Sequence, residues 1–203
     1  MTPEYKFSVV AHHSAATPYP FLTIVTRRLP NHRKEKFRAN EASISEQVAK
    51  NFEQIFIDDP KGYGMLEANK SFALVKDIIK GSYVHLFDDD DAYTTPEFTK
   101  RMEEVAAANS FPDFVFFKNK IHTGDGDNIY PKPDCWGDIP KIARIGGSCF
   151  IVKADVYRRM IHHFGLRRCG DFNFLKKCFE ENPTRCWHDE LMFESKPSHG
   201  KVG

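Results

Sequence analysis

Four consecutive carboxylates, Asp88, Asp89, Asp90 and Asp91, follow directly on the apolar run Tyr83-Val84-His85-Leu86-Phe87. Carboxylates this close repel one another, and at a strand end they cost stability unless a cation neutralises them. Side chains alternate along a strand, so Asp88 and Asp90 point one way and Asp89 and Asp91 the other until the turn breaks the alternation. Two carboxylates on one side make a half-site for Mg2+ or Mn2+, ions that bind through one or two carboxylates plus substrate phosphates. The bland alternative is a solvated acidic turn at the N-terminus of the next helix. Four aspartates after a buried strand favour the metal. An EF-hand does not fit, because Tyr93 and Thr99 stand where that loop needs glycine and glutamate.

The elements that must carry this turn alternate strand and helix, which predicts a layered α/β domain. Phe21-Leu22-Thr23-Ile24-Val25-Thr26 reads as a buried strand. A single-faced helix is expected from about Arg33 to Asn51, with Phe37, Ile44, Val48 and Phe52 on helical spacing. Gln54-Ile55-Phe56-Ile57 is the second strand, closed by the turn residues Asp58-Asp59-Pro60-Lys61-Gly62. Met65, Ala68, Phe72, Val75 and Ile79 predict a helix that Gly81 ends as a C-cap. Thr94, Pro96 and Glu97 have the spacing of a capping box at the start of the next helix. Strands follow at Phe114–Phe117 and Ser148–Val152, and helices at Ala154–His163 and from Gly170-Asp171. Residues 119–140, rich in Gly, Pro, Asp and Asn, predict a long loop, and the tail after Phe193 is expected to be poorly ordered.

The order strand FLTIVT, basic loop, helix, strand QIFIDD, helix with Asn69, Gly81-Ser82-Tyr83-Val84, then LFDDDDAY and PEF resembles the nucleotide-binding half of family 2 glycosyltransferases, which have the GT-A fold. The resemblance covers Phe21 to Val105 closely and continues loosely to His188. It implies an α/β fold of GT-A type, a mixed, mostly parallel sheet flanked by helices. It further implies one glycosyltransferase domain over 1–203, with a nucleotide-sugar half at about 21–110, an acceptor half at about 111–193 and a tail at 194–203. Thr26 would line the nucleotide, Asp58 or Asp59 would hydrogen-bond base or ribose, and Asn69 and Asp89 would lie in the donor site. Asp88 would contact the ribose or the metal's water shell, and Asp90 would ligate the metal with Asp91 beside it. The family usually has Pro-Thr-Tyr-Asn after its first strand. Here the stretch is Thr26-Arg27-Arg28-Leu29-Pro30-Asn31, so Arg28 or Arg33 is expected to pair with the diphosphate, as suits a guanidinium fork.

Inverting transfer needs a carboxylate to take the acceptor proton. Gly170-Asp171-Phe172 is similar to the family's late Gly-Glu-Asp, which makes Asp171 the candidate base; an ordinary N-cap is the equal alternative. Gly146-Gly147-Ser148 resembles the loop bordering donor and acceptor, where Gly147 would permit close backbone approach. His188, in Trp187-His188-Asp189, is a candidate third ligand for Mn2+. Asp134-Cys135-Trp136 could offer an aromatic platform for a sugar, although a lone tryptophan is more often packing.

The 29 Lys and Arg against 28 Asp and Glu exclude a dominant basic field for nucleic acid, leaving only the local patch Arg27–Arg38. No segment approaches the ~20 apolar residues of a membrane span, and the N-terminus lacks a signal-peptide pattern. Five cysteines fit neither a zinc motif nor a disulfide framework, which predicts reduced thiols and a cytoplasmic protein, bacterial or in a phage-infected host. The donor expected is a nucleotide-diphosphate sugar, UDP-sugar favoured; a glycan, a protein or a modified DNA base are all open as acceptors. A nucleotidyltransferase would carry a glycine-rich, lysine-containing signature near its N-terminus, which is missing. A non-catalytic metal or nucleotide-sugar binding module remains the other alternative.

Overall fold

The computed structural model describes residues 3–13, 19–29, 34–123, 126–137, 139–165 and 169–196. Its strands are β1 (Lys6–Ala11), β2 (Leu22–Arg28), β3 (Phe52–Asp58), β4 (Tyr83–Asp88), β5 (Asp91–Tyr93), β6 (Phe114–Thr123), β7 (Gly126–Tyr130), β8 (Phe150–Lys153) and β9 (Arg185–Ser195). The helices are α1 (Lys34–Ser45), α2 (Met65–Ser71), α3 (Phe98–Ala108), α4 (Ala154–Met160) and α5 (Gly170–Glu180). One mixed sheet runs in the order β1-β3-β2-β4-β8-β6-β9-β5, with β7 added to β6 as a hairpin. Parallel pairing is confined to β3-β2-β4, where helices cross over between strands, and to β6-β9.

Strand alternation sorts the core onto two faces. Val25, Ile55, Val84 and Leu86 face a layer that holds Phe72, Tyr157, Phe164 and Phe174. Leu22, Ile24, Phe52 and Phe87 face the opposite layer with Ile44, Phe98 and Met102. Thirteen of the 18 phenylalanines are buried, so the aromatic excess is core, each ring contributing roughly 1.5–3 kcal/mol.

Several local expectations are corrected. The Met65–Ile79 helix breaks after Ser71 into a 3-10 turn, Phe72–Val75. Gly81 is not a left-handed cap; a Cβ there would lie 2.5 Å from the Thr23 backbone nitrogen, so close approach of two chains requires glycine. Helix α3 starts at Phe98, not at a Thr94–Glu97 capping box: Thr94 Oγ1 donates to Leu191 O at 2.8 Å, and Gln47 Oε1 of the chain after α1 accepts from Thr99 N at 3.0 Å. Much of the expected 119–140 loop is the β6–β7 hairpin. Of the tail after Phe193, β9 takes residues through Ser195, held on both sides by β6 and β5, and residues 197–203 lie outside the described residues. β1 at the sheet edge was not anticipated; all six of its residues are exposed, and their pattern carries no one-sided alternation to read.

Candidate functional site

β2, β3 and β4 end together, and their last residues meet in register: Arg27 opposite Asp88, Arg28 opposite Asp58. Adjacent residues point to opposite faces, so the two arginines serve different layers. Arg28 turns to the α1 side, where it makes a fork with Asp58 and lies 4.1 Å over the Phe56 ring. Arg27 turns to the other side. Its Nε and Nη2 donate to the two Asp88 oxygens at 2.7 Å each, its Nη1 donates to Asn69 Oδ1 at 2.9 Å, and its guanidinium stacks 4.5 Å from the Phe72 ring. Burial opposes the Arg27 charge, but Asp88, Asp91 and Asp89 outweigh it and hold the guanidinium above its ordinary pKa.

The four aspartates have four different environments. Asp88 is half-exposed and forked to Arg27. Asp89 is buried and accepts from Leu29 N at 2.8 Å, which fixes the chain leaving β2. Asp91 is buried, accepts from Asp88 N at 2.9 Å and takes a hydrogen bond from Ser195. Burial, then Asp88 and Asp90, push its carboxyl well above the usual range. Asp90 stands partly exposed on the turn itself. Asn40 of α1 cinches the turn, its Nδ2 donating to Asp88 O at 3.0 Å and Asp91 O at 3.2 Å. That residue has no signature in the sequence, since its role depends on α1 lying across a turn 48 positions away.

Helix α5 brings the second half of the site. Asp171, in its first turn, accepts from Phe172 N at 2.8 Å and from the Gly147 backbone N–H. A Cβ on Gly147 would sit 3.4 Å from the Asp171 Cβ, so the glycine loop and the carboxylate are in contact. Burial raises the Asp171 pKa against the pull of those N–H groups and of Arg27. A Cβ on Gly170 would come within 2.8 Å of Asn69 Nδ2, so Asn69, Arg27, Asp88, Gly147 and Asp171 form one cluster. The glycine loop is itself held from below. His85, fully buried among aromatic rings, lies with Nε2 3.3 Å from Ser148 O and Nδ1 3.0 Å from Tyr93 Oη. Ser148 O can only accept, so His85 carries its proton on Nε2 and Tyr93 donates to Nδ1.

Other expected site residues lie elsewhere. Thr26 is fully buried, and its Oγ1 accepts from Gln54 Nε2 at 2.9 Å, so its side chain braces β2 against β3. Asp59 accepts from Gly62 N at 2.7 Å and Tyr63 N at 2.9 Å and is committed to its own turn. Arg28 and Asp58 are locked to each other on the face opposite Arg27. Arg33 lies outside the described residues. His188 is not beside the aspartates: it sits opposite Phe117, seven residues before Ser195, the partner of Asp91. β9 bulges between the two, so the span matches four residues of β6, Phe117 to Ile121, or roughly 13 Å at ~3.3 Å per residue. Its Nε2 lies 3.2 Å from Glu190 Oε2 without a hydrogen-bond alignment. Arg27, not singled out in the sequence for this role, is the central cation.

Among the described residues no three His, Cys, Asp or Glu side chains converge as a protein-only metal cage. An ion shared with a substrate diphosphate needs no cage, and Asp90 with Asp88 offers the one or two carboxylates such a site uses.

The architecture is that of the GT-A fold, a sheet whose parallel β3-β2-β4 unit presents its carboxyl ends to the site. The chain is similar to S. aureus TarS residues 1–349: the complex with UDP-GlcNAc superposes with a TM-score of 0.63 at 12% identity over 89% of this chain and 59% of that one. The TarS complex with UDP gives 0.62 at 12% identity over 87% and 60%. The chain therefore spans about 60% of the length of those TarS structures. A197 from STIV is similar with a TM-score of 0.53 at 10% identity, over 83% of this chain and 81% of that one. No protein-family model matches the sequence, and no curated protein matches it. No helix among the described residues is long and apolar enough to cross a membrane.

Proposed function

We propose that the chain is a glycosyltransferase that moves a sugar from a nucleoside diphosphate sugar to an acceptor hydroxyl, with inversion. The observation that carries this reading is the convergence of Asp171, Gly147, Arg27 and Asp88 on one face of the sheet at the carboxyl ends of β2 and β4. TarS, similar in fold, is known in complexes with UDP and UDP-GlcNAc, which favours a uridine donor. The diphosphate lies against the Arg27 guanidinium, which can turn one of its donors from Asp88 to a phosphate oxygen; Asp90, an anion itself, would meet it only through a bound cation. Asp171 takes the proton of the acceptor hydroxyl as its oxygen bonds to the anomeric carbon. The bond from that carbon to the diphosphate breaks on the opposite side, through an oxocarbenium-like state. A divalent ion, Mn2+ or Mg2+, held by Asp90 and Asp88 supplies charge stabilisation of the departing diphosphate when bound.

A thermal-shift panel of nucleotide sugars with and without Mn2+ tests this. The expected result is metal-dependent stabilisation by one nucleotide, about 2.7 kcal/mol at a hundred times Kd, lost in Asp90→Asn. Equal shifts with and without metal overturn the metal assignment, and absence of any shift overturns the donor site.

A further inference from the structure

Asn119 stands on β6 in the row of Val115 and Phe117, whose side chains join the apolar layer, yet it is polar and fully buried. The register of β6 against β9 shifts twice just before it, and such bulges re-aim side chains beside functional sites. Its Nδ2 donates to Ser148 Oγ at 3.0 Å and to Ser195 Oγ at 3.3 Å. Ser195 gives its single proton to Asp91, so toward Asn119 it can only accept, which fixes the amide with Nδ2 on that side. The Oδ1 is buried without a hydrogen-bond partner among the described residues. A buried acceptor left unmet costs stability, and an apolar residue would avoid that cost. The position serves its two donors, not its acceptor.

Those donors reach opposite halves of the site. Ser195 lies opposite Asp91 in the β5–β9 register, and Asp91 also accepts from Asp88 N at 2.9 Å, so this arm ends on the acidic turn. Ser148 follows Gly147, whose N–H donates to Asp171, so the other arm ends on the glycine loop. A second path closes the ring. Tyr93, two residues after Asp91, bonds His85 at 3.0 Å, and His85 lies 3.3 Å from Ser148 O. Ser148 is therefore tied to β5 twice, through its hydroxyl and through its carbonyl. Asn119, Ser195, His85 and Tyr93 are all buried, and in such surroundings linked hydrogen bonds strengthen one another. We infer that Asn119 is a positioning residue that holds the acidic turn and the Gly147-Ser148 loop in one frame. A nucleoside diphosphate bound with its ion at the turn is then felt at the loop that touches Asp171. The inference rests on the transferase reading for its ligand and adds the residue that couples the donor side to the base.

Amide hydrogen exchange on the full chain reads the two ends separately. Without ligand, Asn119→Ala and Ser195→Ala are each expected to speed exchange at residues 146–149 by about threefold or more, with β3 unchanged. Ser195→Thr, which keeps the hydroxyl, is expected to match the wild type. With UDP and Mn2+, the wild type is expected to slow exchange both at 88–93 and at 146–149. In Asn119→Ala the slowing stays at 88–93 and is lost at 146–149. Ser195→Ala removes a single oxygen and carries the same test if Asn119→Ala fails to fold. Unchanged loop exchange in ligand-free Ser195→Ala, a rise that spreads equally to β3, or loop slowing in Asn119→Ala equal to the wild type overturns the inference. No slowing anywhere in the wild type overturns the donor reading instead, and the ligand-free comparison then decides on the link by itself.

Discussion

Asp171 illustrates how one residue couples stability to chemistry. Burial raises its pKa, so ionisation is disfavoured in the folded chain relative to the unfolded one. At a pH between the two values the folded state binds more protons, so stability is present at low pH and is lost as pH rises through the folded value. A base must nevertheless be ionised to act. The acid limb of the kcat/KM profile is therefore expected above the ordinary carboxylate range. Asp171→Asn is expected to lower turnover by about 10²- to 10⁴-fold with no loss of thermal stability at pH 7; a lower midpoint together with retained transfer would assign Asp171 to structure alone.

Among the elements, α5 is placed by a glycine. A Cβ at Gly170 would lie 2.4 Å from Phe164 O, which forces the helix start, and Asp171 with it, away from the Gly147 loop. Gly170→Ala is expected to destabilise by about 1–3 kcal/mol and to reduce turnover more than nucleotide binding, measured by steady-state kinetics beside equilibrium titration. The sequence made β2, β3, β4 and the acidic turn legible, because buried strands ending in charge leave a local signal. It also singled out Asp171 and Gly147, which the structure places in contact. It did not reveal Arg27 as partner of Asp88, since Arg27 and Arg28 read alike until register assigns each a face and a neighbour. Nor did it reveal Asn40, or the breadth of β6 and β9, whose pairing joins segments some 70 positions apart. His188 shows the same limit: lateness in the chain does not fix position along β9, where it lies opposite Phe117.

For the whole molecule, the most telling group is His85, in the middle of the sheet. Burial lowers its pKa from 6.5 to about 3. In the unfolded chain it takes up a proton near the ordinary value, so below that value the unfolded state binds more protons and stability falls with pH. The contribution is complete above about pH 6.5 and is lost progressively down to about 3, amounting to roughly 4–5 kcal/mol. Thermal midpoints measured between pH 7 and pH 4 should fall accordingly, and His85→Phe should flatten that slope. An unchanged slope would move the acid sensitivity to the carboxylates.

The fork between Arg27 and Asp88 has a consequence for assembly. The acidic turn holds its counter-charge within the chain, as a neighbouring strand's side chain, and so does not depend on a solute ion to form. Folding would then not wait on the proposed divalent ion, which would enter by exchange against a guanidinium already in place. Chelation with EDTA should leave the thermal midpoint of the unliganded protein unchanged while abolishing the nucleotide-induced shift. A donor diphosphate, which offers Arg27 a new anion, should arrive together with the ion or before it.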